Sequence, residues 1–238
     1  MKPKHLRKLR DAKADTPEAA NALVKELRQV FKWAVAADHA DSNPAKEVPF
    51  IKTGSQGIHS WTIEEVRQYE ARHPIGTRAR LALALLLYTT QRCSDVVRLG
   101  HKMAHDGWLK LTQAKNAERK PISLEIPILV ELQRIIDVTT PLGKDTYLVT
   151  QFGKAFTVKG FGSRFRKWCD EAGLRHCSAH GLRKAGSARL AELGASDREI
   201  MAITGHQTAK EVDRYTRGAR QRKLAASAME KWEQGRNE

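Results

Sequence analysis

One segment of the sequence, Tyr88 to Asp95, places an arginine where a helix is expected to begin. A helix N-terminus presents free backbone N–H groups that favour anions, and the planar guanidinium of Arg92 offers paired donors that suit a phosphate. Ser94, beside it, is a residue type that caps helices. The segment therefore predicts a phosphate-binding arginine, with a surface arginine paired to Asp95 as the alternative.

The C-terminal third carries four more candidates: His180, Arg183, His206 and Tyr215. His180 and Arg183 are three residues apart where a helix is expected to start, so they share one face. Each of the four also has an ordinary explanation, such as a helix cap, a solvated arginine, a basic residue after a helix stop at Gly205, or a packing tyrosine. Their order and spacing, taken together, favour a common site.

A lysine near the tip of a predicted hairpin is the last candidate. Lys115 is expected to end the first strand, just before a polar turn at residues 116–119. A lysine in this position ordinarily protects a sheet edge, and it can also reach into a groove. Lys110 and Lys120 flank the same hairpin and are the alternatives to Lys115.

The charge balance indicates a polyanionic partner. Lys and Arg total 42 against 27 acidic residues, which gives a net charge of +15 and an isoelectric point near 9.9. Fixed cations gain free energy by releasing counterions condensed on nucleic acid. Charge alone does not separate DNA from RNA, from an anionic membrane or from a well-solvated basic surface. The 6% aromatic content argues against a platform that stacks single-stranded bases.

The sequence also favours a cytoplasmic protein without a membrane span. Its longest apolar run, Leu81 to Tyr88, is too short to cross a bilayer and predicts a buried helix. The basic N-terminus has no apolar stretch behind it, so it does not resemble a secretory signal. The cysteines Cys93, Cys169 and Cys177 are scattered and form no CxxC pair, which predicts reduced thiols and no metal site.

The elements that must position the candidates form one mainly helical region from about residue 60 to residue 238. Thr62 and Glu65 fit a capping box, Gly205 fits a helix stop, and Pro127 fits the first position of a helix. The predicted fold class is mainly α with a small antiparallel β-sheet (α+β). We expect helices over 62–72, 76–89, 94–99, 127–138 and 158–172, several helical pieces from 182 onward, and two strands within 107–126.

Residues 1–50 predict a smaller, separate helical segment. Thr16 and Pro17 mark the start of a helix that should continue to about Ala40. Prolines and glycines then predict a linker that extends to about residue 59. One long helix cannot bury a core alone, so this segment is either part of a small helical domain or a helix that docks elsewhere.

The candidates resemble, in type and order, the active-site set of the tyrosine recombinases, the phage integrase family. The resemblance spans about residues 60 to 230 and is most specific in SAHGLRKAGSARLAELGASDREIMAITGHQTAKEVDRYTRGA, while QRCSDVVRL resembles the family's first-arginine box. It is closer to the integrases of prophages and genomic islands than to the type that resolves chromosome dimers. The matching residues are Arg92, Lys115, His180, Arg183, His206 and Tyr215.

The resemblance implies a reaction that cleaves and rejoins DNA strands. Arg92 and Arg183 would clamp the non-bridging phosphate oxygens, and His206 would donate a further hydrogen bond. Tyr215 would be the nucleophile, giving a 3′-phosphotyrosine and a free 5′-hydroxyl. Lys115 would protonate the leaving 5′-oxygen, with His180 as proton acceptor or orienting partner. No cofactor or metal is expected.

Two departures from the family pattern stand out. The family usually has glycine where Thr90 stands, so Thr90 is expected to shift the loop slightly. Only about fifty residues precede the catalytic region, and they resemble the last helices of a core-binding domain. The alternatives are an expressed fragment, a shortened gene and a naturally small member of the family. If half of the DNA clamp is missing, DNA binding should be weak. The helix expected after Gln221 packs either on a neighbouring protomer or on its own domain.

The resemblance implies double-stranded DNA as partner and four protomers on two sites, with a monomer allowed in solution. The expected location is the cytoplasm, with nucleoid association during reaction. Whether a DNA-bending accessory protein takes part is left open. The alternatives to a site-specific recombinase are a type IB topoisomerase-like enzyme that relaxes supercoils and a non-catalytic DNA-binding remnant.

Overall fold

Two units make up the chain in the computed structural model, Met1–Gly57 and Ile58–Glu238. The structure describes residues 1–54, 57–140 and 142–236. Within these ranges, no helix is both long enough and apolar enough to pass through a lipid bilayer.

The first unit is helical, with a small core of its own. Helix α1 covers Pro3–Asp11, α2 covers Pro17–Ala36, and a 3₁₀ turn covers Pro44–Glu47. Arg28 on α2 fixes the turn by donating from Nε to the Ala45 carbonyl at 3.1 Å. Helix α1 was not predicted. It supplies Leu6 to a buried cluster that also contains Val24, Ala45 and Val48.

The second unit is mainly helical with one three-stranded antiparallel sheet, in the order β1-β2-β3. The predicted fold class is therefore confirmed. The elements, in chain order, are α3 (Ile63–Arg72), α4 (Arg78–Thr89), α5 (Cys93–Val96), β1 (Ala104–His105), β2 (Trp108–Thr112), β3 (Ser123–Pro127), α6 (Val130–Val138), α7 (Val158–Glu171), α8 (Ala179–Glu192), α9 (Asp197–Thr204) and α10 (Ala209–Gly235).

Helix α4 lies at the centre of this unit. Six consecutive residues, 81–86, are buried, which agrees with a helix that is apolar on all sides. Aromatic side chains from α3 and α7 pack in the same core, where Tyr69 and Phe165 stack with ring centroids 5.7 Å apart. The burial of α4 fixes the loop at its C-terminal end, which leads to Arg92.

Several predicted boundaries were wrong. Pro127 does not begin a helix: it ends β3 opposite Trp108, where a missing N–H is tolerated, and α6 begins at Val130. Helix α8 begins at Ala179 rather than Leu182, because the Ser178 side chain caps it. Helix α2 stops at Ala36, before a left-handed Asp38 with φ of 55°.

Three further boundaries differ from the prediction. Helix α4 starts after Gly76, whose φ is +94°, because Thr77 accepts a hydrogen bond from the Arg80 N–H at 3.2 Å. Helix α5 ends at Val96. After it, the Leu99 N–H donates to the Val96 carbonyl three residues earlier, a 3₁₀-type bond, instead of continuing the α-helical pattern to Leu99. The two-residue strand β1 was not predicted, being too short for an alternating pattern.

Candidate active site

The start of α8 positions two of the predicted site residues. Ser178 is the N-cap, and its side-chain oxygen accepts from the Gly181 N–H at 3.3 Å. The Trp61 indole N–H donates to the Ser178 carbonyl at 2.9 Å. A Cβ at Gly181 would lie 2.4 Å from the His59 carbonyl oxygen, so only glycine fits here. These contacts fix the first turn, which carries His180 and leads to Arg183.

Arg183 is the central residue of the site and is only 1% exposed. Its guanidinium donates to the Thr90 carbonyl at 2.6 Å and to the Thr204 carbonyl at 2.8 Å. No carboxylate forms an ion pair with it in the described part of the chain. Burial and the nearby Arg92 lower the pKa of Arg183 to about 10, so it stays charged at neutral pH. A buried cation whose described hydrogen-bond partners are all neutral can attract an anion.

The Thr90 carbonyl reaches Arg183 because Thr90 is left-handed, with φ of 53°. Glycine adopts this conformation without strain, whereas a β-branched residue does not. A Cβ on Gly186 of α8 would lie 2.6 Å from the Thr90 methyl carbon, so the two residues are closely apposed. Thr90 therefore adopts the conformation that glycine prefers, and its carbonyl still binds Arg183.

His206 is 5% exposed and follows the left-handed Gly205 that ends α9. Its Nε2 lies 2.9 Å from Arg183, which can only donate, so Nε2 is the acceptor. The proton is then on Nδ1, which donates to Thr204 Oγ1 at 2.9 Å, while that hydroxyl donates to the Ile200 carbonyl at 2.7 Å. Burial, followed by the charge of Arg183, lowers the pKa of His206 to about 4. His206 is neutral at physiological pH.

Tyr215 lies on α10, half-buried among three basic residues. Its ring centroid is 5.5 Å from that of His206 and 6.4 Å from that of His180, and Lys184 Nζ lies 5.9 Å from it. Desolvation, then the charge of Arg183, lowers the pKa of His180 below its ordinary value. The structure thus brings Tyr215 and His180 close to the Arg183–His206 pair.

Arg92 is the N-cap residue of α5, and it donates to Gln113 Oε1 at 2.9 Å rather than to Asp95. Asp95 is buried and accepts from the Ala114 N–H at 2.7 Å. The positive charge of Arg92 lowers the pKa of His180, Arg183 and His206, which places Arg92 electrostatically within the cluster.

Two buried glutamines that were not singled out from the sequence connect the site. Gln113 Nε2 donates to Gln91 Oε1 at 2.7 Å and to the Thr204 carbonyl at 2.9 Å. Gln91 Nε2 donates to the carbonyls of Thr89 and Ile203. The pair joins the loop before Arg92 to the Gly205 turn. The sequence signal is weak, because the two glutamines lie 22 residues apart and only their buried positions make them informative.

Lys115 is exposed in the turn after β2. It was predicted to end this strand, but β2 ends at Thr112, three residues earlier. Among the described residues, no hydrogen bond, ion pair or ring contact joins Lys115 to the other five candidates. Its chain neighbours are nevertheless held at the site, since Gln113 binds Arg92 and Ala114 binds Asp95. Lys110, by contrast, forms an exposed ion pair on the sheet with Glu125 at 2.7 Å.

A model of the phage integrase family matches residues 59–222, which include all six candidates. The chain belongs to the phage integrase family. Tyrosine recombinase XerC 2 of Ralstonia nicotianae is 26% identical over 203 residues, which are 80% of this chain and 58% of that protein. The integrase of Escherichia phage HK022 is 25% identical over 214 residues, which are 85% of this chain and 59% of that protein.

This phage integrase family member spans less than three fifths of the length of those two relatives. Solved structures have the same fold. A lambda integrase dimer bound to a COC′ core site has a TM-score of 0.77 at 20% identity, over 90% of this chain and 79% of that one. The Tn1549 transposon integrase in complex with circular intermediate DNA has a TM-score of 0.75 at 16% identity, over 91% and 81% of the two chains.

Proposed function

We propose that this phage integrase family member is a site-specific recombinase that cleaves and rejoins DNA strands through Tyr215. The observation that carries the proposal is the environment of Arg183, a buried guanidinium bound to two carbonyls and to neutral His206, with no carboxylate partner among the described residues. An anionic phosphodiester would supply the missing charge. The Tyr215 ring lies 5.5 Å from that of His206, which binds this cation, and 6.4 Å from that of His180, so both side chains would be near such a phosphate.

Arg183 and Arg92 would clamp the non-bridging oxygens of the scissile phosphate. Attack on phosphorus increases the negative charge on these oxygens, and preorganised cations lower the barrier where charge develops. The carbonyls of Thr90 and Thr204 hold Arg183, and Gln113 holds Arg92, before any DNA arrives. This preorganisation avoids reorganising the cations during the reaction.

We propose that His206 has two roles, one before and one after a phosphate binds. Its Nε2 accepts from Arg183, so it cannot donate to a phosphate in this protonation state. We propose that His206 first orients Arg183. The negative charge of an arriving phosphate raises the pKa of His206, and a protonated Nε2 can then donate to a phosphate oxygen.

Tyr215 would form the covalent bond to DNA. Its oxygen attacks phosphorus, the bond from phosphorus to the 5′-oxygen breaks, and a 3′-phosphotyrosine forms. The lowered pKa of His180 keeps its ring neutral and able to take the tyrosine proton. Lys115 would deliver a proton to the leaving 5′-oxygen, because its turn is tied to the site through Gln113 and Ala114. The phosphotyrosine conserves the bond energy, so rejoining needs no cofactor.

The partner in this proposal is double-stranded DNA, and the place of action is the reducing cytoplasm at the nucleoid. The net charge of +15 supports a polyanion, and the three free cysteines agree with a reducing compartment. A lambda integrase tetramer bound to a Holliday junction supports four protomers on two sites. Residues 1–50 would be part of a core-binding domain, residues to about 59 its linker, and 60–238 the catalytic domain.

A nicked suicide duplex tests the proposal. Cleavage near the nick releases a short fragment that cannot diffuse back, so a covalent protein–DNA adduct accumulates. We expect an adduct with the native chain and none with Tyr215→Phe. Tyr88→Phe, which removes a hydroxyl outside the cluster, is the matched control and should give the native yield. Absence of an adduct on all duplexes, while binding persists, would favour a DNA-binding remnant.

The same preparation separates recombination from simple relaxation. Exchange of strands between two defined sites is expected, while relaxation of any supercoiled plasmid without exchange would indicate a topoisomerase-like enzyme. DNA affinity should fall steeply with salt, by about 10³-fold between 50 and 200 mM if six or more phosphates are contacted. A flat salt response would contradict DNA as partner.

A further inference from the structure

A second cluster of polar side chains lies apart from the proposed active site. It consists of His59, Glu65, His176 and Cys177, and we refer to it as the His–Cys cluster. One ligand-type atom from each of the four lies within 4.8 Å of the others. Its members come from two places in the sequence, since Glu65 and His176 are 111 residues apart. The fold of the second unit therefore creates the cluster, and no local sequence motif does.

The donor set matches a transition metal. Two imidazole nitrogens, one carboxylate oxygen and the Cys177 sulfur, which would lose its proton and bind as a thiolate, are ligands that Zn²⁺ accepts, and four protein ligands complete a tetrahedral structural site. Bond lengths of about 2.0–2.3 Å place tetrahedral ligand atoms roughly 3.3–3.8 Å apart. The widest separation in the cluster, 4.8 Å, thus needs a closure of about 1 Å, which side-chain rotation can provide.

The Glu65 carboxylate occupies the centre of the cluster. His59 Nε2 lies 2.7 Å from Glu65 Oε2, and His176 Nε2 lies 2.5 Å from Oε1. Oε2 also accepts from the Thr62 N–H at 2.8 Å, as part of the capping box of α3. A metal can bind through Oε1 and the two imidazole nitrogens while Oε2 keeps its bond to Thr62.

The accessibility of the four side chains suits a structural site. Cys177 is fully buried, whereas the side chains of His59 and His176 are 38% and 56% exposed. The exposed histidines provide an entry path for the ion, and the buried sulfur provides an inner ligand. The rings of His59 and His176 are already in contact, with centroids 4.9 Å apart.

We propose that the His–Cys cluster is a structural Zn²⁺ site that ties the start of α3 to the chain segment entering α8. Cys177 directly precedes Ser178, the N-cap of α8, so a metal bound to Cys177 would restrain the helix that carries His180 and Arg183. The cluster contains none of the six proposed active-site residues, and metal binding is measured without DNA.

Titration of the chelator-treated full chain with Co²⁺ tests the site, since Co²⁺ reports tetrahedral thiolate coordination by its absorption. We expect one Co²⁺ per chain, visible d–d bands of tetrahedral intensity and a thiolate-to-metal band, all displaced by Zn²⁺. Cys177→Ser should lose the thiolate band. His59→Ala and His176→Ala, at exposed positions, should lose binding while the chain stays folded. Cys93→Ser and His105→Ala are the matched controls and should keep the native spectrum.

Zn²⁺ should also raise the Tm of the native chain by about 5–10 °C when present at 100 times its Kd, and leave the Tm of His176→Ala unchanged. Three results would overturn the site. These are no stoichiometric binding, a Co²⁺ spectrum without a thiolate band, or equal binding by His176→Ala and the native chain. Each would leave the cluster as a metal-free hydrogen-bonded His–Glu–His group.

Discussion

Two histidine-containing clusters lie on the second unit, and their charges are arranged in opposite ways. In the proposed active site, Arg183 binds neutral His206 and Arg92 adds a second positive charge; among the described residues, the guanidinium of Arg183 has two carbonyls and this imidazole as hydrogen-bond partners. In the His–Cys cluster, one carboxylate lies between two imidazoles and accepts from both. The first has a buried positive charge without an ion pair among the described residues, and the second has its negative charge at the centre.

This difference shows why residue type alone does not define a site. Histidine occurs in both clusters, but the surrounding charge determines which ligand each can take. Burial and Arg183 keep His206 neutral, so the first cluster is suited to an anion. Glu65 and Cys177 give the second cluster the donors for a cation. The ligands we propose for them are accordingly a DNA phosphate for the first cluster and a metal ion for the second.

The largest expected effect follows removal of the buried cation. Arg183→Gln should lower the rate of adduct formation by about 10³-fold, because a donor to the developing negative charge is lost. Arg189→Gln, on the exposed face of the same helix, removes an ion pair to Glu192 and should keep the native rate. Single-turnover cleavage of the nicked duplex measures both. A native rate in folded Arg183→Gln would contradict the phosphate clamp.

The pH dependence of stability should distinguish the two clusters. The pKa of His206 is about 4 in the folded chain, against an ordinary value of 6.5. The unfolded chain therefore binds a proton that the folded chain does not. Above pH 6.5, His206 is neutral in both states and the free energy of unfolding does not depend on its titration. As the pH falls from 6.5 toward 4, protonation of the unfolded chain lowers the free energy of unfolding by about 1.4 kcal/mol per pH unit.

Glu65 should act in a lower pH window, because hydrogen bonds from His176 and His59 overcome its burial and lower its pKa from 4.5 to about 2. Its contribution is complete above pH 4.5 and is lost as the pH falls toward 2. Urea unfolding of the metal-free chain measures both windows. His206→Asn should reduce the pH dependence of the free energy of unfolding only in the upper range, and Glu65→Gln should reduce it only in the lower range. The reverse pattern would contradict the assigned environments.

Loss of the buried glutamine link should have a smaller effect. Gln113→Leu removes the acceptor for Arg92 and the donor to Gln91, which should slow cleavage roughly 10-fold to 100-fold. The Kd for DNA should change little, since Arg92 keeps its charge. Gln133→Leu, an exposed glutamine on α6, is the control. If Kd weakens as much as the rate falls, Gln113 contributes to binding rather than to positioning.

Thr90→Gly should produce the smallest effect. Glycine takes the left-handed conformation without strain, so the variant should gain up to about 1 kcal/mol in the free energy of unfolding. Cleavage should continue, because the Thr90 carbonyl still accepts from Arg183. Urea unfolding measures the change. A clear loss of stability would show that the packing of the Thr90 methyl group on Gly186 outweighs the strain.

Features that depend on local sequence were predicted well. The capping box of Thr62 and Glu65, the glycine stop at Gly205, and strands β2 and β3 follow from residue types a few positions apart. The mainly helical class with a small antiparallel sheet followed from these signals. The boundary errors at Pro127 and α8 arose because the sequence allowed several helix starts. Pairing of Pro127 with Trp108 excludes the first predicted start, and the Ser178 cap determines the second.

Features that depend on distant contacts were not predictable. The near-complete burial of Arg183 requires α8 to pack against the Thr90 loop and the end of α9. The Gln91–Gln113 pair and the His–Cys cluster likewise join segments far apart in the chain. No periodicity or capping rule reports such contacts. The sequence named the candidate residues, and the fold determines their protonation and partners.

Identification of the residue that carries DNA tests the central claim most directly. The adduct from the nicked duplex is digested with protease and nuclease, and mass spectrometry locates the nucleotide on the remaining peptide. We expect the nucleotide on Tyr215, attached through a 3′-phosphate. A nucleotide on Tyr69, Tyr88 or Tyr147, or a 5′-phosphate attachment, would contradict the proposed reaction.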